Sequence, residues 1–311
     1  MADLLGYIFT LDAIFTWAFV SIIYKKGLEK TQPKANLFFR LVCTSISTFI
    51  FSLIFGNYLF LRFFNQTTLT DYLVACFISG LSVTIGDLLY YMSLKKIDVS
   101  RAYPLIQLSL IFVIFFSFFL FSEEITYPIT IGGFLILSSV FILSSKDKLE
   151  KNNSTRKFKE KLSDDLILGV FYAIGTAFFW ALAIISFNQA RIISNDVFVT
   201  NFFRVIFSTV FIAILGIYQR EFYAGFKKEN RENLKYYIFI GLGGVFSLGL
   251  ADTLYYKAAE LNGLILTSTL TVNTPIIQQF FSIVILKEKF RKRFLIAIIL
   301  IVLGNYIIIF L

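Results

Sequence analysis

The sequence predicts an all-α integral membrane protein with ten transmembrane helices arranged as two inverted five-helix repeats. Three observations predict this class: a very apolar composition, ten apolar runs long enough to cross a bilayer, and landmark residues that recur on either side of a polar centre. Of the 311 residues, 57% are hydrophobic and 16% are charged, whereas about 25% of a soluble domain is charged. A water-soluble chain of this length cannot hide so much apolar surface, so the composition excludes an ordinary soluble enzyme.

The apolar runs give the expected helices. A bilayer core of about 30 Å needs about 20 apolar residues per helix. Such runs lie at 4–24, 36–56, 70–93, 101–122, 127–145, 166–187, 197–218, 235–257, 263–286 and 292–311. The first run lacks the basic segment and cleavage site of a signal peptide, so a retained helix is expected. A charged linker at 146–165 separates the first five-helix half, residues 1–145, from the second half, residues 166–311.

Landmark residues recur in the two halves at a nearly constant offset. The matched residues are Trp17 and Trp180 at an offset of 163, Arg40 and Arg204 at 164, Asp87 and Asp252 at 165, and Glu123 and Glu288 at 165. In transporters, internal repeats of this kind locate a pseudo-symmetry axis. Because each half has five helices, an odd number, the second half enters the membrane from the opposite side. The repeats are therefore expected to be inverted.

The basic residues predict the orientation in the membrane. In and beside the connections after the odd-numbered runs there are 24 Lys and Arg residues, against 3 after the even-numbered runs. The positive-inside rule then places the odd connections and the linker in the cytoplasm and both chain ends outside. The net charge of +9 is thus interpreted as loop charge, and no nucleic-acid partner is expected.

The composition also limits the chemistry. The chain has no His, and its two Cys, Cys43 and Cys76, lie inside apolar runs, which removes histidine acid/base catalysis and a disulfide framework. The neighbouring acids Glu123 and Glu124 end a predicted helix, where capping or a surface role is favoured over catalysis. We expect neither an enzyme nor a bound cofactor or metal. Without a Walker-type glycine loop, uphill transport would draw on an ion gradient or an exchanged solute.

The order of these motifs resembles that of the drug/metabolite transporter superfamily, in its ten-helix EamA-like branch. The resemblance is carried by an early Trp in the first helix of each half (FTWAFVSII, FFWALAIIS), an Arg opening the second (FFR), and a Glu closing the fourth (LFSEEIT, LKEKF). It covers essentially the whole chain and implies an inverted-repeat carrier, commonly an exporter of amino acids or other small metabolites. It also implies a cavity between the halves, lined mainly by the first, third, fourth, sixth, eighth and ninth helices. The sequence departs from relatives in its predicted outer chain ends and in its acids Asp87 and Asp252, where an uncharged residue is usual.

Away from the span ends, five charged residues lie inside the predicted spans, where a charge costs about 2.5–3.5 kcal/mol on insertion scales. Four form two pairs of matched depth: Arg40 with Asp87 toward the cytoplasmic face, and Arg204 with Asp252 toward the outer face. Each pair is either a gate, one per face, or a buried bridge between adjacent helices. Asp12, about 12 Å into the first helix, is either a proton-coupling or ligand-amine group or an acid held for packing.

Polar and aromatic residues inside the spans complete the candidate site. Spacings of 4, 3 and 4 place Thr84, Asp87 and Tyr91 on one helix face with Gly80, and a second such stripe runs from Thr267 to Gln278. Lipid offers no hydrogen-bond partners, so these stripes face either a wet cavity or neighbouring helices. The Trp and Tyr residues are either cavity walls or packing. The candidate substrate or coupling residues are Asp12, Trp17, Tyr91, Gln107, Trp180, Tyr256, Thr271, Thr274 and Gln278.

The sequence therefore predicts a secondary transporter of the cell membrane, an exporter of small metabolites such as amino acids, that works by alternating access. Its expected partners are a small-molecule substrate and membrane lipid, with protons as the candidate coupling ion and a homodimer as the candidate assembly. The alternative is a non-transporting membrane scaffold or assembly protein on the same fold. Charges at pseudo-symmetric positions inside the membrane favour the transporter.

Overall fold

The computed structural model describes residues 3–144, 156–227, 232–287 and 293–310, and every regular element in these ranges is helical. In the first half the helices are α1 (Leu4–Leu28), α2 (Pro33–Phe55), α3 (Gln66–Lys96), α4 (Val99–Ile106), α5 (Ser109–Phe121) and α6 (Tyr127–Ser144). The second half contains α7 (Arg156–Ser194), α8 (Val197–Tyr218), α9 (Leu234–Gly244), α10 (Asp252–Asn262), α11 (Leu264–Thr271), α12 (Thr274–Ile285) and α13 (Arg293–Phe310). A π-helical segment, Val245–Ala251, joins α9 to α10.

The described helices are those of a multi-pass integral membrane protein. Six of the described helical stretches are long and apolar enough to cross a membrane: Leu4–Leu28, Pro33–Phe55, Gln66–Lys96, Asp164–Ser194, Val197–Tyr218 and Leu234–Asn262. Shorter apolar helices cover Ser109–Phe121, Tyr127–Ser139 and Leu295–Phe310. Their outward faces carry exposed Leu, Ile and Phe side chains, which is the surface that a hydrocarbon environment favours.

Short polar residues fix where several helices begin. The carboxylate of Asp196 accepts a hydrogen bond from Val199 N at the start of α8, and the amide oxygen of Asn65 accepts one from Thr68 N at the start of α3. Each supplies an acceptor for a first-turn N–H that has no partner within its helix. Pro33 occupies the first turn of α2, where its missing N–H costs nothing.

The linker is shorter than predicted. Helix α7 begins at Arg156, ten residues before the predicted boundary at 166, so the second part of the linker is helical. The reason is that Lys and Glu are good helix formers and that a helix extending beyond the bilayer does not have to be apolar. The rest of the linker, residues 146–155, and the predicted landmark Glu288 lie outside the described residues.

Two runs predicted as continuous helices are broken. The run 101–122 divides into α4 and α5, and the run 263–286 divides into α11 and α12. Both breaks use tight i→i−3 hydrogen bonds: Leu108 N to Leu105 O at 3.2 Å, and Asn273 N to Leu270 O at 3.1 Å. These bonds are 165 residues apart, the same offset as the sequence repeat. At the second break Pro275 follows directly, and a proline disfavours a continuous helix before it.

The core forms between the two halves. Helix α2 packs against α8 and α9. Helix α3 packs against α7 and α8, and α1 packs against α10 and α12. The largest apolar cluster accordingly mixes residues of both halves, such as Leu41 and Tyr91 with Ala183 and Leu248. Helices from both halves therefore surround the centre of the bundle.

Candidate functional site

A cavity of about 120 Å³ lies between the two halves. This space admits several water molecules, each of which needs roughly 10–15 Å³ of such volume. Its walls come from α1, α2, α3 and the α4–α5 break on one side, and from α7, α8, the π-helical segment, α10 and the α11–α12 break on the other. The sequence-predicted residues that line it are Trp17, Arg40, Asp87, Gln107, Trp180, Arg204, Asp252, Tyr256, Thr271 and Thr274.

The first ion pair joins α2 to α3. Arg40 Nη2 lies 2.5 Å from Asp87 Oδ2, and Arg40 Nη1 donates a 3.0 Å hydrogen bond to Tyr91 Oη. The guanidinium carbon lies 5.2 Å from the ring centre of Tyr24 and 5.8 Å from that of Tyr91. Both charged side chains are buried. Pairing, hydrogen bonding and aromatic faces together offset the cost of removing these charges from water.

The second ion pair joins α8 to α10. Arg204 Nη2 lies 2.7 Å from Asp252 Oδ2 and also donates to Asn201 Oδ1 at 2.8 Å. Arg204 Nη1 donates to Tyr256 Oη at 3.5 Å. The guanidinium carbon is 4.8 Å from the ring centre of Phe187. The second half thus repeats the first arrangement of Arg, Asp, Tyr and aromatic ring, with Asn201 added.

Two tryptophans donate hydrogen bonds from one half to the other. Trp17 Nε1, in the first half, donates to Asp252 Oδ1 at 3.0 Å, and Trp180 Nε1, in the second half, donates to Asp87 Oδ1 at 3.2 Å. Each carboxylate therefore accepts hydrogen bonds from an Arg of its own half and a Trp of the other half. Hydrogen bonds to a charged acceptor are stronger than neutral ones, so this crossed network ties the halves together across the cavity.

The placement of one pair near each membrane face is wrong. Both pairs line the same central cavity. For the first pair the helix boundaries account for the error: α2 begins at Pro33 and α3 continues to Lys96, both further from the centre than predicted. Arg40 therefore lies about 10 Å, or two turns, into its helix, which is deeper than the predicted start at residue 36 allowed.

The other predicted residues lie apart from the cavity wall. Tyr91 is buried behind Arg40 and does not line the cavity, but it contacts the site through its hydrogen bond to that side chain and through the ring of Tyr24. Gln278 is buried in α12, where its Nε2 donates to Ser282 Oγ at 2.5 Å. Asp12 is exposed on the side of α1 that points away from the helix bundle, together with the side chains of Ile8 and Phe15. The structure therefore does not bring Asp12 together with the charged pairs.

The sequence prediction missed several residues of the site. Tyr24 Oη lies 2.6 Å from Ser247 Oγ, another contact between the halves, and Ser109 lines the cavity at the α4–α5 break. Tyr24 stands 163 residues before Phe187, so the repeat offset could have identified it. Asn201 is polar within an apolar run and could have been flagged on that ground. In the described ranges, no three Cys, Asp and Glu side chains come together as a metal site.

Comparison with known proteins agrees with this architecture. Residues 4–145 and 167–310 each match the EamA-like transporter family. An uncharacterized transporter of Archaeoglobus fulgidus is 25% identical over 305 residues, which cover 97% of this chain and 96% of that protein. An uncharacterized transporter of Clostridium kluyveri is 26% identical over 241 residues, covering 76% of this chain and 71% of that protein. A crystal structure with 14% sequence identity shares the fold, with a TM-score of 0.68 over 97% of this chain and 95% of the other. The resemblance indicated by the sequence motifs is confirmed, and the chain belongs to the EamA-like transporter family.

Proposed function

We propose that the chain is a secondary transporter that exports small metabolites such as amino acids by alternating access of the central cavity. Its family makes it a membrane transporter. In the proposal, ten helices cross the cell membrane as two inverted five-helix repeats, and the two halves rock about the cavity so that it opens to one face at a time.

The observation that carries the proposal is the crossed network around the cavity. Each carboxylate is shared between an Arg of its own half and a Trp of the other half. In the proposed motion the inverted repeats place the two Trp-to-Asp hydrogen bonds on opposite sides of the rocking axis, so that separating the halves on one side stretches one of them and leaves the other in place. The network therefore has the form of two contacts that break in alternation.

The charges at the cavity support a small substrate that carries both an acid and an amine. Arg40 and Arg204 balance Asp87 and Asp252, so the four side chains together have no formal net charge. A substrate carboxylate finds Arg donors there, and a substrate amine finds carboxylate acceptors. Protons are the proposed coupling ion, since the two acids that face the cavity are groups able to carry them.

The two helix breaks give further support. Gln107 and Ser109 border the first break, Thr271 and Thr274 border the second, and all four line the cavity. In many transporters discontinuous helices direct backbone groups at the transported solute. The equivalence of the two breaks supports a single site shared by both halves.

A binding screen followed by transport tests the proposal. The purified protein is screened by thermal shift against pools of amino acids and related metabolites, because a ligand of the native state raises the melting temperature. Stabilising compounds are then used in counterflow assays with proteoliposomes. We expect exchange of at least one of them, reduced about tenfold or more by Asp252→Asn and unchanged by Glu124→Gln. Stabilisation without exchange, or no stabilising compound at all, would instead favour the scaffold alternative.

A further inference from the structure

Two glycines mark equivalent places in the two halves. Gly80 of α3 packs against the Arg-bearing helix of the second half, and Gly244 of α9 packs against the Arg-bearing helix of the first. A side chain at Gly80 would overlap the backbone oxygen of Arg204, and one at Gly244 would overlap the side chain of Arg40. These close approaches fix how the two helices align with each other.

The spacing from each glycine to the following carboxylate, Asp87 or Asp252, differs between the two halves. Asp87 follows Gly80 by seven residues, whereas Asp252 follows Gly244 by eight. One residue is therefore inserted in the second half between the glycine contact and the ion pair. The π-helical segment Val245–Ala251 occupies this interval, while α3 is α-helical throughout. An i→i+5 turn holds one residue more than an α-helical turn, so the inserted residue accounts for the π-helical segment.

The buried amide of Asn201 connects this segment to the ion pair. Its Nδ2 donates to Leu248 O at 2.8 Å and, less closely, to Gly249 O at 3.5 Å. Its Oδ1 accepts the hydrogen bond of Arg204 Nη2 at 2.8 Å. The residue 164 positions earlier is Leu37, which is apolar. The amide is thus present in the half that has the insertion, and its counterpart position in the other half has none.

The ion pair beside the insertion is the less enclosed of the two. The side chain of Asp252 is 15% exposed, against 3% for Asp87. The hydrogen bond from guanidinium to tyrosine is 3.5 Å long in the second half and 3.0 Å in the first. Solvent and ligand in the cavity therefore reach Asp252 more easily than Asp87.

We propose that Asn201 is a positioning residue that couples the inserted turn to Arg204, so that the Arg204–Asp252 pair opens during transport while the Arg40–Asp87 pair stays closed. This inference rests on the alternating access proposed above. A one-residue shift that returns the π-helical turn to α-helical bonding rotates the following residue by about 100°, which carries Asp252 away from Arg204. The Asn201 amide loses its carbonyl partners in the same step, and continuous α3 has no equivalent shift.

The test measures how a cavity cysteine is reached from each face of the membrane. Ser109→Cys is placed in a Cys43→Ser, Cys76→Ser background and labelled with a membrane-impermeant thiol reagent in intact cells and in inside-out vesicles. We expect Asn201→Leu to change the ratio of the two labelling rates about threefold or more, in the same direction as Asp252→Asn. The double variant should change the ratio no more than either single variant, because both act on one contact.

The matched control is Asn36→Leu. Asn36 is a buried amide of α2 whose Nδ2 donates to Thr31 Oγ1 at 2.7 Å, so this hydrogen bond involves neither ion pair. This substitution should leave the labelling ratio within about twofold of the parent. If Asn201→Leu protein fails to reach the membrane, Asn201→Asp replaces it. The carboxylate keeps an acceptor for Arg204 and loses the N–H donor to Leu248, so the same change of ratio is expected.

A deletion provides the decisive comparison. Leu250 lies in the π-helical segment with its side chain exposed, and its removal restores the seven-residue spacing of the first half. In a Leu250-deleted background, Asn201→Leu should no longer change the ratio. An unchanged ratio in Asn201→Leu, or an effect that persists after the deletion, overturns the inference. Labelling from one face alone in every variant contradicts alternating access itself, whereas labelling from both faces without a response to Asn201→Leu contradicts this inference alone.

Discussion

At the scale of single residues, the indole N–H groups of Trp17 and Trp180 donate hydrogen bonds from one half to the other. Trp17→Phe keeps an aromatic ring beside Tyr255, whose ring centre is 5.5 Å from that of Trp17, and removes the donor to Asp252. A hydrogen bond to a charged group contributes about 1.5–3 kcal/mol, so we expect a loss of stability of that order in thermal unfolding. In double-mutant cycles, the stability losses of Trp17→Phe and Asp252→Asn should not be additive, because both remove the same hydrogen bond. The losses of Trp17→Phe and Asp87→Asn should be additive. Equal coupling to both acids would contradict the crossed arrangement.

Asp12 has a different environment from the other intramembrane acids. It lies on the side of α1 that points away from the bundle, with the exposed side chains of Ile8, Phe15 and Phe19. A charge in that position is costly in lipid. We expect Asp12→Leu to raise the melting temperature by about 2–4 °C and to leave the pH dependence of transport unchanged. Loss of gradient-driven transport in Asp12→Asn protein of normal membrane yield would restore the coupling role that the sequence suggested.

At the scale of helices, one carboxylate closes the start of α11. Glu123 accepts hydrogen bonds from Leu264 N at 3.0 Å and from Ile265 N at 2.8 Å. These N–H groups have no partner within the helix, and the negative charge lies at the positive end of the helix dipole. Glu123→Ala should cost about 1 kcal/mol of stability, measured by thermal unfolding. Glu124→Ala is the control, since Glu124 is exposed; an equal effect of both substitutions would rule out capping as the cause.

Hydropathy located the helices but not their internal breaks. Apolar length marks where a chain can cross lipid, and the described helices coincide with the predicted runs to within a few residues at most of their ends. Hydrogen-bond spacing leaves no mark on hydropathy, so hydropathy alone does not show the tight turns at Leu108 and Asn273. The inserted residue before Asp252 appears in the sequence only as a change of offset from 164 to 165, which does not say whether a loop or a helix absorbs it.

The sequence identified the charged residues of the site but not their depth in the membrane. Charges inside apolar runs stand out, and the repeat offset matched Arg40 with Arg204 and Asp87 with Asp252. Their depth depends on where each helix leaves the bilayer, and charged residues can extend a helix beyond it. The contribution of Asn201 depends on carbonyls freed by the π-helical segment, and a single sequence gives no sign of those.

At the scale of the whole molecule, contacts between the halves occur at both ends of the bundle. At one end Lys96 Nζ lies 2.5 Å from Asp165 Oδ1. At the other, Asp3 N donates to Asn262 Oδ1 at 2.6 Å. Alternating access requires that the contacts of one end break while those of the other persist. Which end faces the cytoplasm therefore decides which contact closes the cavity toward the cell interior.

The loop charges predict this orientation and lead to a direct test. With 24 basic residues in and beside the odd-numbered connections and 3 at the even-numbered ones, the positive-inside rule places the α1–α2 connection in the cytoplasm and the α2–α3 connection outside. Glu29→Cys and Gln66→Cys probe the two connections at exposed positions in a Cys43→Ser, Cys76→Ser background. Gln66 is preferred to Asn65, whose side chain caps α3. In intact cells an impermeant thiol reagent should label Gln66→Cys at once and Glu29→Cys only after permeabilisation, with the cysteine-free parent unlabelled. The reverse pattern would place both chain ends in the cytoplasm and make the Lys96–Asp165 contact part of the outer closure.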